Sequence, residues 1–434
     1  MRGEVGRREF LRLLGAAGVL AACSSKSSPA PTRPASSTTS VSTALPPPAT
    51  APFDTVVVVT MENRSFDHYL GWLPGADGRQ TGLRYPDQHG TLRATHALAP
   101  DFQGCAFHDP RHDWQSVATQ FNNGKCDGWL RTQDIGDTFP IGYYTAADLP
   151  VTAALARGHT VCDRYHCSVL GPTGPNRMYM WSATTDYLAG PPGPMTVDGP
   201  RPSNIELTIF DRFQAAGISA AYYAGKEPQS YSYKSKKYDA LTKSHAEFFD
   251  RARAGTLPHF SFLDPDLDSI AEFFGTGTDD HPYNDVRRGE AWIGEVYRAL
   301  AASPQWDRLV LIVTFDEHGG FFDHVVPPFV ADDTVLHGPG PDFKRMGFRV
   351  PCIIGGPFAP ARVAHHGPFE HCSILRMVEW RWGLEPMTAR DRHAQNLAEA
   401  LDFSASVAPV TLAALPEIKT TACPDSTRVA HAQP

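Results

Sequence analysis

The chain has 434 residues, 42% of them hydrophobic, which is enough to bury a large core; its 38 prolines and 11% aromatics suggest a loop-rich globular protein. Thirty-nine Lys and Arg against 47 Asp and Glu leave a formal charge of −8, and no basic tract follows the N-terminus. A nucleic-acid partner is therefore not expected.

The N-terminus reads as an export signal. Arg7 and Arg8 precede an apolar stretch, Leu13 to Ala22, too short to span a membrane. The twin arginines imply the twin-arginine export machinery as a partner. Leu20-Ala21-Ala22-Cys23 has the form of a lipobox, so the expected mature chain begins at an acylated Cys23 and is tethered to the outer face of the membrane. Residues 1–22 are then the leader and 23–50, rich in Ser, Thr, Pro and Ala, the tether. Residues 51–405 form the expected catalytic domain and 406–434 a loosely packed tail.

Val56 to Thr60 is an unbroken β-branched run, the pattern of a strand buried on both faces, and after Met61 come Glu62 and Asn63. In open α/β sheets ligands collect at the carboxyl ends of such strands. Ser65 caps an expected short helix to Trp72, and Gly75 to Ala99 is a polar, turn-rich excursion. The loop Phe107 to Trp114 is dense in histidine, with His112 a candidate for the site.

Helix Asp148–Ala156 ends at Gly158. In Gly171-Pro172-Thr173-Gly174-Pro175-Asn176-Arg177, glycines on both sides permit a tight elbow before a helix. A threonine there is either a nucleophile activated by the helix start or an ordinary N-cap. Further helices are expected at 206–216, 244–254, 285–301 and 373–382, and strands at 219–223, 259–263, 308–315 and 350–355. This alternation calls for a mainly parallel sheet with helices on both faces.

The strand Leu309 to Val313 also runs into acidic residues, Asp316 and Glu317, then His318 and Gly319-Gly320. Brought together, three carboxylates and an amide repel unless a cation sits among them, and oxygen ligands suit one divalent ion: calcium, magnesium, manganese or zinc. The alternative is that each acid caps a helix or pairs with an arginine. Of the seven cysteines after Cys23, the pairs Cys162/Cys167 and Cys105/Cys126, each close in sequence, are the expected disulfides, and an odd count leaves at least one buried thiol. Tyr69, Trp72 and Trp114 are candidates to line the mouth and hold a quaternary ammonium by cation–π contact.

Met61-Glu62-Asn63-Arg64-Ser65-Phe66-Asp67-His68 and Thr314 to Val325, with Gly171-Pro172-Thr173, Asn176-Arg177 and Asp280-His281-Pro282, resemble the bacterial phosphoesterase family that holds phosphatidylcholine-preferring phospholipases C and periplasmic acid phosphatases. The resemblance, over about Phe53 to Phe403, implies an alkaline-phosphatase-like α/β/α sandwich with loop-rich cap excursions. It also implies that Thr173 is phosphorylated and that Glu62, Asn63, Thr173 and Asp316, with Glu317 beside them, hold one metal. His112, His281, His318 and His324 would bind phosphoryl oxygens or protonate the leaving group, and Asn176 and Arg177 would bind substrate. The length resembles the short actinobacterial form. The expected reaction is hydrolysis of a phospholipid to diacylglycerol and a phosphorylated headgroup; the alternatives are an acid phosphatase with the same site and a non-catalytic lipid-binding surface lipoprotein.

Overall fold

The computed structural model describes residues 45–419, apart from 186–204, 206, 227, 234–235, 268–270, 272–273 and 335–342, together with 422–423. The twin-arginine leader, Cys23 and most of the tether lie outside the described residues. Eight strands form the main sheet: β1 Thr55–Met61, β2 Thr160–Cys162, β3 Ala220–Tyr223, β4 Thr242–Lys243, β5 Phe260–Leu263, β6 Leu309–Phe315, β7 Cys352–Gly355 and β8 Arg362–Ala364. Their order is β8-β2-β7-β6-β1-β5-β3-β4. Only β7 runs against its neighbours β6 and β2; every other pair is parallel.

All seven residues of β1 and of β6 are buried, as a strand covered on both faces requires. Each fully buried valine of β1 contributes about 1.5 kcal/mol or more. The helices are α1 Phe66–Leu70, α2 Trp114–Phe121, α3 Pro150–Gly158, α4 Thr173–Ser182, α5 Ile209–Ala215, α6 His245–Ala254, α7 Val286–Ala301, α8 His371–Trp382 and α9 Ala389–His393. Adjacent residues of β3 show the two covered faces: the Tyr222 ring packs on Trp181 of α4, and the Tyr223 ring on Phe248 of α6.

One register positions the site. Met61 pairs with Phe315 across β1 and β6, so Glu62 and Asp316 leave the sheet side by side. Val59 pairs with Leu263, so β5 delivers Asp264 to the same edge.

The cysteine pairing differs from the expectation. Cys105 is joined to Cys423, 318 residues away, while Cys126, Cys162 and Cys167 are free and buried. Cys162 is fixed in β2, the Cys167 thiol faces the Val169 carbonyl and the Cys126 thiol faces that of Val325, so short sequence separation does not bring these sulfurs together. The disulfide ties Cys423 of the tail to Cys105, and three further hydrogen bonds link described tail residues to the domain. Val407 N donates to Pro357 O (2.9 Å), Val410 N to Tyr297 Oη (2.7 Å), and Arg298 Nη2 to Ala413 O (3.0 Å).

Candidate functional site

Thr173 is the first residue of α4, and Pro172, not Thr173, occupies the N-cap position with no side-chain cap. The Thr173 hydroxyl instead donates to Asn63 Oδ1 at 3.3 Å. Two features hold the elbow. Gly171 crosses so close to Trp114 that a Cβ there would lie 2.4 Å from the indole. Asn176 then staples the turn, its Oδ1 accepting from Val169 N (3.0 Å) and its Nδ2 donating to the carbonyls of Val169, Gly171 and Pro172. Asn176 is fully buried and props Thr173 instead of facing a substrate.

Asn63 has φ 62°, a left-handed conformation that asparagine tolerates better than most residues, and its backbone N–H donates to Asp316 Oδ1 at 3.0 Å. Gly319, at φ 61°, passes under it; a Cβ at that position would be 2.2 Å from Asn63 O. The Asn63 amide is the hub of the site. One terminal atom lies 2.8 Å from Glu317 Oε1, 3.1 Å from Glu62 Oε2, 3.3 Å from Asp316 Oδ1 and 3.3 Å from Thr173 Oγ1. The other lies 2.9 Å from His281 Nε2 and 3.4 Å from His112 Nε2.

The histidine tautomers decide which terminal atom is which. His112 Nδ1 donates to Pro110 O (2.7 Å) and His281 Nδ1 to Pro282 O (2.5 Å), so in the neutral rings both Nε2 atoms are acceptors. The atom facing them is then the NH2 group, and the amide oxygen faces four other oxygens. With Arg177 bonded to the other oxygens of Glu62 and Asp316, the five oxygens gathered about the Asn63 amide have the ligand chemistry of a hard divalent cation. Glu62, Asn63, Thr173, Asp316 and Glu317 are the residues that would hold it.

Arg177 is also inside this cluster. Its guanidinium reaches Glu62 Oε1 (2.5 and 2.8 Å), Asp264 Oδ1 (2.8 Å) and Asp316 Oδ2 (3.3 Å), and it is buried. Arg177 is thus a counter-charge to the carboxylates, not a group facing outward to substrate. Burial, then the neighbouring Glu62, pushes Asp316 well above the usual carboxylate range despite Arg177. Burial likewise raises Glu62, against the pull of Arg177. For Glu317 the upward push of burial is outweighed by His112, then His318, and the carboxyl ends below its ordinary value.

The remaining expected residues divide. His112 and His281 approach each other, with ring centroids 6.1 Å apart, and Asp109 lies 3.9 Å from His281 Nε2. His318 sits one layer back, its Nε2 on Gln120 Oε1 (2.9 Å) and its ring against Phe348. His324 belongs to a separate network: Nδ1 is 2.6 Å from Asp67 Oδ2, Nε2 is 3.2 Å from Asp77 Oδ1, and Arg349 bridges Asp67 and Asp323. Tyr69 is 1% exposed and stacked in the core, Trp114 lies beneath Gly171, and Trp72 is half-buried under Arg157; the expected aromatic mouth is not built from these three.

Among the described residues, two groups bring three metal-donor side chains within 4.8 Å of one another: Asp109, His112 and His281, and Asp67, Asp323 and His324. In the second, Arg349 makes two bonds to Asp323 and one to Asp67, as Arg177 does among Glu62, Asp264 and Asp316. The sequence reading missed Asp264 and His371, whose Nε2 binds Asp316 O at 2.7 Å. The signal for Asp264 was its place just after an apolar strand.

A model of the Phosphoesterase family matches residues 53–385. "Phospholipase C A" of Mycobacterium tuberculosis is 30% identical over 415 residues, covering 80% of this chain and 77% of its own. "Non-specific phospholipase C1" of Arabidopsis thaliana is 32% identical over 403 residues, covering 85% and 74%. Among solved structures, a protein in the alkaline phosphatase superfamily from Vibrio parahaemolyticus aligns with TM-score 0.38 and 12% identity, covering 78% of this chain and 69% of that one.

Proposed function

The chain belongs to the Phosphoesterase family, and from that premise we propose that it is a phospholipase C that cleaves phospholipids to diacylglycerol and a phosphorylated headgroup through a phosphothreonine. The observation that carries this reading is the Thr173 hydroxyl at the start of a ten-residue helix, beside the Asn63 amide oxygen and three carboxylates.

The open N–H groups and positive end of α4 favour an oxyanion at Thr173 and the equatorial oxygens of an incoming phosphate. The Thr173 oxygen attacks phosphorus, the bond to the diacylglycerol oxygen breaks, and that oxygen takes up a proton. Water then attacks the phosphothreonine, frees the headgroup phosphate and restores the hydroxyl. His112 and His281, each fixed through Nδ1 to a backbone carbonyl, present Nε2 to the same side of Asn63 and supply the proton relay. A divalent cation held by Glu62, Asn63, Thr173, Asp316 and Glu317 would supply charge stabilisation and a lowered threonine pKa. Its identity, among calcium, magnesium, manganese and zinc, is read by elemental analysis of the purified protein.

The test compares release from p-nitrophenyl phosphorylcholine and from p-nitrophenyl phosphate. A preference for the diester with Thr173→Ala inactive on it, and a trapped phosphate on Thr173, is the expected result. Full activity in Thr173→Ala overturns the assignment, and a preference for the monoester makes the enzyme a phosphatase. Export through the twin-arginine route and acylation at Cys23 belong to the same proposal; the mass of the mature N-terminus checks both.

A further inference from the structure

Singly exposed apolar side chains need no explanation, but two here share one place. Phe329 is 69% exposed and Val326 47%. The segment carrying them pairs with the one around Arg345: Val330 N donates to Lys344 O (2.8 Å) and Met346 N to Pro328 O (3.0 Å). The Arg345 guanidinium lies 3.7 Å over the Phe329 ring and 4.9 Å over that of Phe121, the last residue of α2. Val326 packs beside Gly124, and the exposed Lys125 and Lys344 flank the patch.

Two features distinguish this surface. It gathers three basic residues on a chain with a formal charge of −8. It is also tied to the candidate site through short covalent and packed paths. Val326 and Phe329 continue directly from the segment Asp316 to His324. Phe121 and Leu170, the residue before the elbow, pack on the same small core of Val117, Trp129, Phe322 and Phe348.

The geometry points to this patch as the surface that docks the enzyme on a phospholipid bilayer containing anionic lipid, an inference that rests on the proposed phospholipase activity. Val326, Phe329 and Phe121 would enter the headgroup boundary, while Lys125, Lys344 and Arg345 meet lipid phosphates, the combination that holds proteins at an interface. Arg345, in cation–π contact with both Phe121 and Phe329, brings its charge beside the apolar groups. Docking there sets the elbow carrying Thr173 near the lipid.

The experiment uses the full chain carrying Cys23→Ser, so that no acyl group tethers it. Binding is measured by co-sedimentation with vesicles of phosphatidylcholine, alone or mixed with phosphatidylglycerol, and turnover of soluble p-nitrophenyl phosphorylcholine is followed in parallel. The parent binds the mixed vesicles more tightly, and less so in high salt. Val326→Ser/Phe329→Ser weakens binding to both by about tenfold or more, on the scale of the apolar area removed. Lys125→Glu/Lys344→Glu weakens binding to the mixed vesicles by about fivefold per charge. Soluble turnover stays at the parent level in both, which shows that they fold. Unchanged vesicle binding in either variant overturns the proposal, as does a lipid-free dimer of the parent that the serine variant dissociates, since the patch then serves a second copy. Vesicle binding through this patch with no diacylglycerol formed sinks the phospholipase reading and leaves the docking surface standing. Diacylglycerol formation by variants at the parent rate does the reverse.

Discussion

Arg177→Met tests the claim that the guanidinium is a built-in counter-charge. The side chain is buried and bonds three carboxylates, Glu62, Asp264 and Asp316. Removing one partner of a buried ion pair costs about 3–5 kcal/mol. With an unfolding entropy of about 2.1 cal/mol/K per residue, that lowers the Tm of a domain this size by roughly 4–6 °C. The loss depends on pH in a definite sense. Without Arg177 the folded-state pKa values of Glu62 and Asp316, already raised by burial, rise further above their unfolded values. The folded state then holds more protons than the unfolded chain, so the variant's deficit grows as the pH rises from 5 to 8. A divalent cation bound among the same oxygens supplies positive charge to the folded state alone and narrows the deficit. Thermal melts of parent and variant, at several pH values with EDTA or with excess divalent ion, give the comparison. A deficit that is the same at every pH and unaffected by the cation would mean that Arg177 matters for packing alone.

Three further changes bear on separate features. Asn176→Ala leaves Val169 N and three carbonyls without their partner, at about 2–4 kcal/mol, and by loosening the elbow lowers kcat on the soluble diester more than it raises KM. Burial, reinforced by Asp391, pushes the carboxyl of Glu379 up to about 9. A raised folded-state pKa makes stability fall, by up to about 1.4 kcal/mol per pH unit, between the ordinary carboxylate value and pH 9, and Glu379→Gln flattens that slope in denaturant titrations across the range. Cys105→Ser frees the tail of its bridge to Cys423 and, because the closed loop is 318 residues long, lowers stability by up to about 5 kcal/mol. A chevron or melt identical to the parent's would show that the other tail contacts suffice.

The sheet and its active edge were legible because the evidence for them is local. Val56 to Val59 and Leu309 to Val313 can be buried only on both faces, and the polar residues that end each run must emerge where parallel strands stop. The elbow was legible from its glycines, though not which residue begins the helix, since Pro172 and Thr173 both suit a helix start. What escaped depends on packing between distant segments. An arginine following an asparagine in a helix gives no sign that it points inward at Asp264, 87 residues on. Tyr69 and Trp114 carry the ring chemistry of a choline site, but composition does not say which face of α1 or α2 they occupy. The Cys105–Cys423 bridge joins a loop to a tail, and His324 is drawn away from the elbow by Asp67, whose carboxylate it meets at 2.6 Å.

The same residues that suit the site to phosphate chemistry make it costly to fold. Glu62, Asp264, Asp316 and Glu317 are buried together, and the Arg177 guanidinium bonds three of them. A core selected for stability alone would replace such a cluster with apolar side chains of similar volume. Keeping it means that burial elsewhere, in β1, β6 and the helices on both faces, offsets the cost, and that oxygen lone pairs stand already desolvated about the Asn63 amide before any ligand arrives. In water those dipoles would have to reorganise as charge develops on a phosphoryl group; held by the register of Met61 against Phe315 and by the amide of Asn63, they do not. The left-handed backbone at Asn63 and the glycine beneath it serve the same arrangement, in which the amide oxygen faces the carboxylates and its NH2 faces His112 and His281.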